Sequence, residues 1–307
     1  MVGLTQLLHR NKIEQSKWHI APVVKCVNMF FVMIVVTIAC LCCYNKKEVL
    51  ANIFVNQGEN AVSLLAGLVS HISPPSDMVY IPAGWFWMGC APKDKQCDND
   101  EKPYHRVYLS AYYIDKNDVT ADAYAQCVNS GACTVSDTRS GCNYGVKGKG
   151  DNPINCVTWD QANTYCLWVG KRLPTEAEWE KAARGTDGRI YPWGNTWDCK
   201  KCCNSVKPCK HETTCPVGSY SKYTSPYGVM DMIGNVANWT RDWYDEHYYE
   251  KSPYKNPQGP ESGKEFVVRG GSWSVCVTNN LRTSNRNGVI PLRSSRGIGF
   301  RCARSVF

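Results

Sequence analysis

The sequence predicts an α+β domain with little regular secondary structure, preceded by one N-terminal transmembrane or signal helix. Three observations carry that reading. Twenty uncharged residues, Cys26 to Asn45, lie between Lys25 and Lys46. From Met78 onward aromatics, Gly, Pro and Asn are dense and hydrophobic runs are short, the texture of short strands joined by long loops. Only three stretches of that region carry helix signals.

The apolar run Val27 to Tyr44 is long enough to cross a bilayer as a helix. Arg10, Lys12, Lys17 and Lys25 precede it against one acid, Glu14, which favours a cytoplasmic N-terminus and an exported C-terminus. A retained signal anchor is one reading. A cleaved or lipidated signal is the other, with Ala39-Cys40 resembling a lipoprotein cleavage site, although Thr37 stands where an aliphatic residue is usual. The expected organisation is a cytoplasmic tail at 1–25, an anchor at 26–45, a stalk at 46–77 and a domain at 78–307. Either reading places that domain outside the cytoplasm, and a retained or lipidated anchor holds it to a membrane.

The helices follow in order. Val119 to Val128 opens at Thr120 and Asp122. Trp159 to Gly170 has Asp160 in its first turn and Gly170 as its stop. Thr175 to Ala183 starts with a capping box, Thr175 at the N-cap and Glu178 three residues on.

Composition sets outer limits. The 35 Lys+Arg and 27 Asp+Glu give a net charge of +8, with 43% hydrophobic and 20% charged residues. This excludes wholesale disorder, a collagen-like repeat and a polytopic membrane protein. Eighteen cysteines point to an oxidising compartment. Cys26, Cys40, Cys42 and Cys43 belong to the anchor region, and fourteen follow residue 77. Cys90 with Cys97 could staple one loop. Cys127, Cys133, Cys142 and Cys156 could form two bonds, with the pairing open. Cys199, Cys202, Cys203, Cys209 and Cys215 have the spacing of a zinc knuckle, but the compartment favours disulfides. The lysines around them lack interleaved aromatics, so no nucleic-acid partner is expected.

From Val79 the residues carry a recognisable series: Ile81-Pro82-Ala83-Gly84, Met88-Gly89, GKRLPTEAEWEKAARG at 170–185, YPWGN at 191–195, GVMDMIGNVANWT at 228–240, RGGSW at 269–273 and GFRCAR at 299–304. The series resembles the formylglycine-generating enzyme, or sulfatase-modifying factor, family. The resemblance implies a C-type-lectin-related α+β fold with much loop and two short sheets. It also implies a disulfide between Cys166 and Cys302.

The family's oxidases convert a substrate cysteine to formylglycine with copper, held by two cysteines five residues apart after the GGS turn. Copper(I) requires soft thiolates. Here those positions hold Val275 and Asn280, and Cys276 is one residue out of register. An active-site Asn of the family is Gly297 here, and a Trp is Ala237, while Ser272 is retained. No copper is expected, and formylglycine generation becomes the alternative function. The resemblance further implies a structural calcium ion held by Asp231, Asn238 and the carbonyls of Gly234 and Val236. Asn238 stands where the family usually has Glu, so weaker affinity is expected, and a site held by hydrogen bonds alone is the alternative.

Residues 274–298 resemble the variable region of retroelement-diversified proteins built on this fold. Adenine-directed diversification of Asn codons excludes Lys, Gln, Glu, Met and Trp. These five types make up 58 of 307 residues, so about five (25 × 58/307) would fall in the segment, and none does. The ligand-contact candidates are Trp273, Ser274, Val275, Cys276, Val277, Gly288, Val289, Ile290, Leu292, Ser294, Ser295 and Arg296. Arg282, Arg286, Arg293, Arg296, Arg301 and Arg304 follow Glu265 with no further acid, so an acidic target is expected where they are not framework residues. The function expected is therefore a membrane-anchored, extracytoplasmic display protein that binds a protein or glycan through 274–298. A structural domain without a ligand is a third reading.

Overall fold

Nine strands, none longer than seven residues, build three small sheets in the computed structural model, which describes residues 77–306. The tail, the anchor and all but the last residue of the stalk lie outside the described residues. Among the described residues no helix is long and apolar enough to cross a membrane.

β1 (Met78–Ile81), β4 (Tyr112–Asp115) and β9 (Ala303–Ser305) form an antiparallel sheet in the order β1-β4-β9, bringing the two ends of the domain together. β2 (Gly84–Met88) and β3 (His105–Leu109) form an antiparallel ribbon. β5 (Ala237–Trp243), β6 (Phe266–Arg269), β7 (Arg286–Val289) and β8 (Ile298–Gly299) make the third sheet, ordered β7-β6-β5-β8 with only β5–β8 parallel. The sequence expectation was two sheets. The ribbon is the additional one.

Each of the three main helices begins on a threonine in extended conformation. α1 (Ala121–Asn129), α2 (Trp159–Trp168) and α3 (Glu176–Arg184) are capped by Thr120, Thr158 and Thr175. Each hydroxyl accepts from the backbone N–H three residues on, at 3.1–3.3 Å, satisfying one otherwise unpaired donor. Glu178 returns the bond to Thr175 N at 2.8 Å, and Gln161 does the same for Thr158 at 3.0 Å. Gly170, at φ 70°, follows the end of α2 in a conformation that glycine adopts without strain. A one-turn helix, α4 (Tyr248–Lys251), was not expected, because four residues carry no periodicity.

α3 is buried along its whole length, charges included. Buried charges persist only when paired, and here the partners come from distant strands. Glu180 accepts from Gly89 N (2.8 Å), from Arg184 (2.6 Å) and from Arg269. Glu176 takes a two-pronged contact from Arg286, both bonds at 2.8 Å. Arg282 is likewise buried between Glu101 and Asp94. Arg301 is buried against Asp118 at 2.7 Å. The expected basic face is narrowed accordingly: Arg282, Arg286 and Arg301 are framework residues paired with acids, Arg304 is half-buried, and Arg293 and Arg296 are exposed.

Six disulfides pin the loops: Cys90–Cys97, Cys127–Cys133, Cys142–Cys156, Cys166–Cys302, Cys199–Cys209 and Cys203–Cys215. This density fits an oxidising, extracytoplasmic environment. Two thiols remain among the described residues, Cys202 buried and Cys276 exposed. Burial pushes the Cys202 thiol up to about 12, so it is protonated and inert.

Candidate functional site

The third sheet and the 274–298 segment frame an open cleft with a cavity volume of about 580 Å³. β6 ends at Gly270-Gly271, both at positive φ. A side chain at Gly271 would start 2.4 Å from the Asn280 carbonyl, so glycine alone lets the turn pack against the 3-10 turn Thr278–Leu281. Ser272 then lies buried beneath the cavity, its hydroxyl 3.0 Å from that of Ser274. β7 supplies one wall and the loop into β8 another.

Six of the expected contact residues line this cavity: Ser274, Val275, Gly288, Val289, Ile290 and Ser295. The other six do not. Trp273 Nε1 donates to the Arg296 carbonyl at 3.1 Å, bracing the rim. Arg296 lays its side chain across Gly141, in the loop held by Cys142–Cys156. Ser294 is tied to Asp137 (3.1 Å) and Arg139 (2.5 Å). Cys276, Val277 and Leu292 point into solvent, Leu292 with 79% of its surface exposed. β7 and the residue after it line the cleft continuously from Asn287 to Ile290, and the residues that miss it lie in the loops on either side.

Several lining residues were not on the expected contact list, notably Glu265, Asn280, Asn287 and Arg293. Asn287 and Arg293 lie in the same segment. Glu265 immediately precedes β6, and Gly288 makes room for it: a Cβ there would stand 2.5 Å from Glu265 Oε2. The lining thus holds one acid and one base rather than a single basic face.

Copper(I) would need two thiolates here. The positions that would supply them, Val275 and Asn280, do line one cavity, and neither offers sulfur. Cys276, the one thiol in the segment, is not part of the lining. Gly297 is also informative. A Cβ at this position would lie 2.6 Å from Ser272 Oγ, so the side chain that the resemblance places there has no room in this arrangement. These residues do not fit a copper centre.

The calcium donors expected from the resemblance meet a different cation. Asn238 is buried, and its Oδ1 accepts from Trp179 Nε1 at 2.9 Å and from Arg301 Nε at 2.8 Å. Its Nδ2 donates to Asp118 Oδ1 (2.9 Å) and to the Val236 carbonyl (3.4 Å). Arg301 also donates to the Asp231 carbonyl at 3.3 Å, and Asp231 Oδ2 accepts from Gly218 N at 2.6 Å. A guanidinium already bonds two of the four assigned residues, and an N–H rather than a lone pair faces Val236. The set Asp231, Gly234, Val236 and Asn238 therefore does not fit a calcium ion as arranged. Hydrogen bonds engage Asn238, Val236 and Asp231 instead.

The fold and the site together define a disulfide-rich α+β domain, related to C-type lectins, whose loops present one amphipathic cavity. The profile of the sulfatase-modifying factor enzyme 1-like domain matches residues 68–306, and the chain belongs to that family. It is 36% identical over 248 residues to serine/threonine-protein kinase pkn1 of Chlamydia caviae. That match covers 75% of this chain but only 38% of the relative's length. It is 32% identical over 288 residues to the formylglycine-generating enzyme of Bos taurus, covering 75% of each chain. Among solved structures, Treponema denticola variable protein 1 shares the fold, with a TM-score of 0.60 at 23% identity, over 75% of this chain and 95% of that one.

Proposed function

We propose that this protein is a membrane-anchored, extracytoplasmic binding protein that displays the 274–298 segment and performs no oxidation. The observation that carries the reading is the pairing of Val275 with Asn280 in one cavity, at the positions where an oxidase of this family needs two thiolates. The scaffold, held by six disulfides and a buried ion-pair network, fixes the cleft rim, while Cys276, Val277 and Leu292 stand out from it into solvent. Rigid scaffold and free loop tips are the arrangement used for recognition. The target is a protein or glycan surface with both donor and acceptor groups, matching Glu265, Arg293, Asn280 and Asn287. Absence of five residue types from 274–298 supports retroelement diversification of that rim.

Copper(I) titration of the full chain tests the non-catalytic reading. We expect no stoichiometric tight site and no turnover of a cysteine-containing peptide; either result positive would establish the oxidase instead. For diversification, the neighbouring DNA should hold a reverse transcriptase gene and an adenine-rich near-copy of codons 274–298. Its absence would remove that part of the proposal.

A further inference from the structure

The ribbon β2–β3 alternates strictly. Phe86, Met88, Val107 and Leu109 face the core, while Trp85, Trp87, Arg106 and Tyr108 face solvent. Register places Trp85 opposite Tyr108 and Trp87 opposite Arg106. Tyr254 joins from a segment pinned to β3 by Tyr108 N to the Tyr254 carbonyl (2.6 Å) and Asn256 N to the Tyr108 carbonyl (2.8 Å). The outcome is a continuous strip. Tyr254 stacks on Trp85 (centroids 6.0 Å), Arg106 lies over Trp85 (4.8 Å) and Trp87 (5.8 Å), and Trp87 stacks on Tyr104 (4.9 Å). Trp85, Trp87 and Tyr254 are 42%, 39% and 65% exposed. Exposed aromatic surface of this extent is a liability unless something covers it.

The chemistry selects among coverings. A sugar ring needs a free aromatic face, and both indoles already stack on a neighbouring ring and contact Arg106. The strands and the 253–256 segment carry Arg106 and Lys255 and no acid, so the complementary surface is anionic. Trp and Tyr edges beside Arg are the composition that settles at a lipid headgroup layer. The chain also supplies such a surface: about 30 residues, a reach of at most ~100 Å, separate Asp77 from the apolar run ending at Tyr44. A tether of that length holds a surface at an effective concentration on the order of mM, so weak affinity suffices.

We propose that the Tyr254–Trp85–Arg106–Trp87–Tyr104 strip rests on the anionic phospholipid surface of the membrane that holds the chain's own N-terminal segment, orienting the binding domain on it. This rests on the anchoring reading above. The test is hydroxyl-radical footprinting with mass spectrometry on the full chain, in phosphatidylglycerol-containing nanodiscs and in detergent. Oxidation of Trp85, Trp87 and Tyr254 should fall at least threefold in the anionic bilayer, while Trp168 and Tyr223 stay unchanged. Arg106→Glu should abolish the protection. A chain that co-purifies with the nanodisc yet labels equally in both settings overturns the strip and leaves anchoring intact. A chain that does not associate overturns both. Protection that instead grows with protein concentration in detergent would mark a contact between copies and also overturn it.

Discussion

Val275 and Asn280, five residues apart after the GGS turn, line one cleft. The resemblance places the two copper-holding thiolates at these positions, and a branched alkyl group and an amide hold copper(I) poorly. Restoring sulfur should therefore restore the metal site. We expect Val275→Cys with Asn280→Cys to gain a stoichiometric copper(I) site in competition with a bicinchoninate chelator, while the wild type and each single variant do not. Equal binding by wild type and double variant would show that copper is held elsewhere.

Arg301 bonds to two of the residues that the resemblance assigns to a calcium ion. Its guanidinium joins Asn238, Asp118 and the Asp231 carbonyl, tying the last strand region to the turn before β5. Chelation by EGTA should leave the melting temperature unchanged. Arg301→Met should cost roughly 3–5 kcal/mol, because Asp118 would be left buried without its counter-charge. Urea denaturation measures the loss. A melting shift of several degrees with EGTA would instead place calcium in the wild-type protein.

Local features were legible in the sequence, and long-range pairings were not. Thr175 and Glu178 announce their capping box because both partners lie within one turn. Thr158 and Gln161 form the same box, less visibly, since Gln replaces Glu. The burial of Glu176, Glu180 and Arg184 could not be read from α3. Their partners Gly89, Arg269 and Arg286 lie 85 or more residues away in the case of Glu180 and Glu176, and only the fold brings them together. The same applies to the arginines after Glu265: residue type alone does not separate Arg282, paired with Glu101, from exposed Arg293. Part of the 274–298 segment lines the cleft. Six of the expected contacts do not line it: hydrogen bonds hold Trp273 and Ser294 elsewhere, Arg296 lies over Gly141, and Cys276, Val277 and Leu292 face solvent, and none of these contacts is visible in residue type.

Cys166 joins α2 to Cys302, beside β9, across 136 residues. In the chain-entropy account a closed loop of that size raises the free energy of the unfolded chain by about 5 kcal/mol. Cys166→Ala with Cys302→Ala should lower stability by about that amount, reduced by whatever structure the unfolded chain retains. The six-residue loop of Cys127–Cys133 should contribute less. Chemical denaturation of the two double variants under non-reducing conditions ranks them.

Asp118 is buried, and desolvation raises its carboxyl from 3.8 to about 7 despite the guanidinium of Arg301 beside it. Its Oδ2 finds no partner among the described residues. The folded state therefore binds a proton more tightly than the unfolded state, and the stabilising contribution is complete below about pH 4. It declines as pH rises from about 4 to about 7, by at most ~1.4 kcal/mol per unit, and is flat above. Asp118→Asn keeps the shape and removes the titration. The difference in unfolding free energy between wild type and Asp118→Asn should thus move in favour of the variant as pH rises through that window. A pH-independent difference would mean that Arg301 holds Asp118 ionised throughout, and that the buried pair is a permanent ion pair rather than a titrating one.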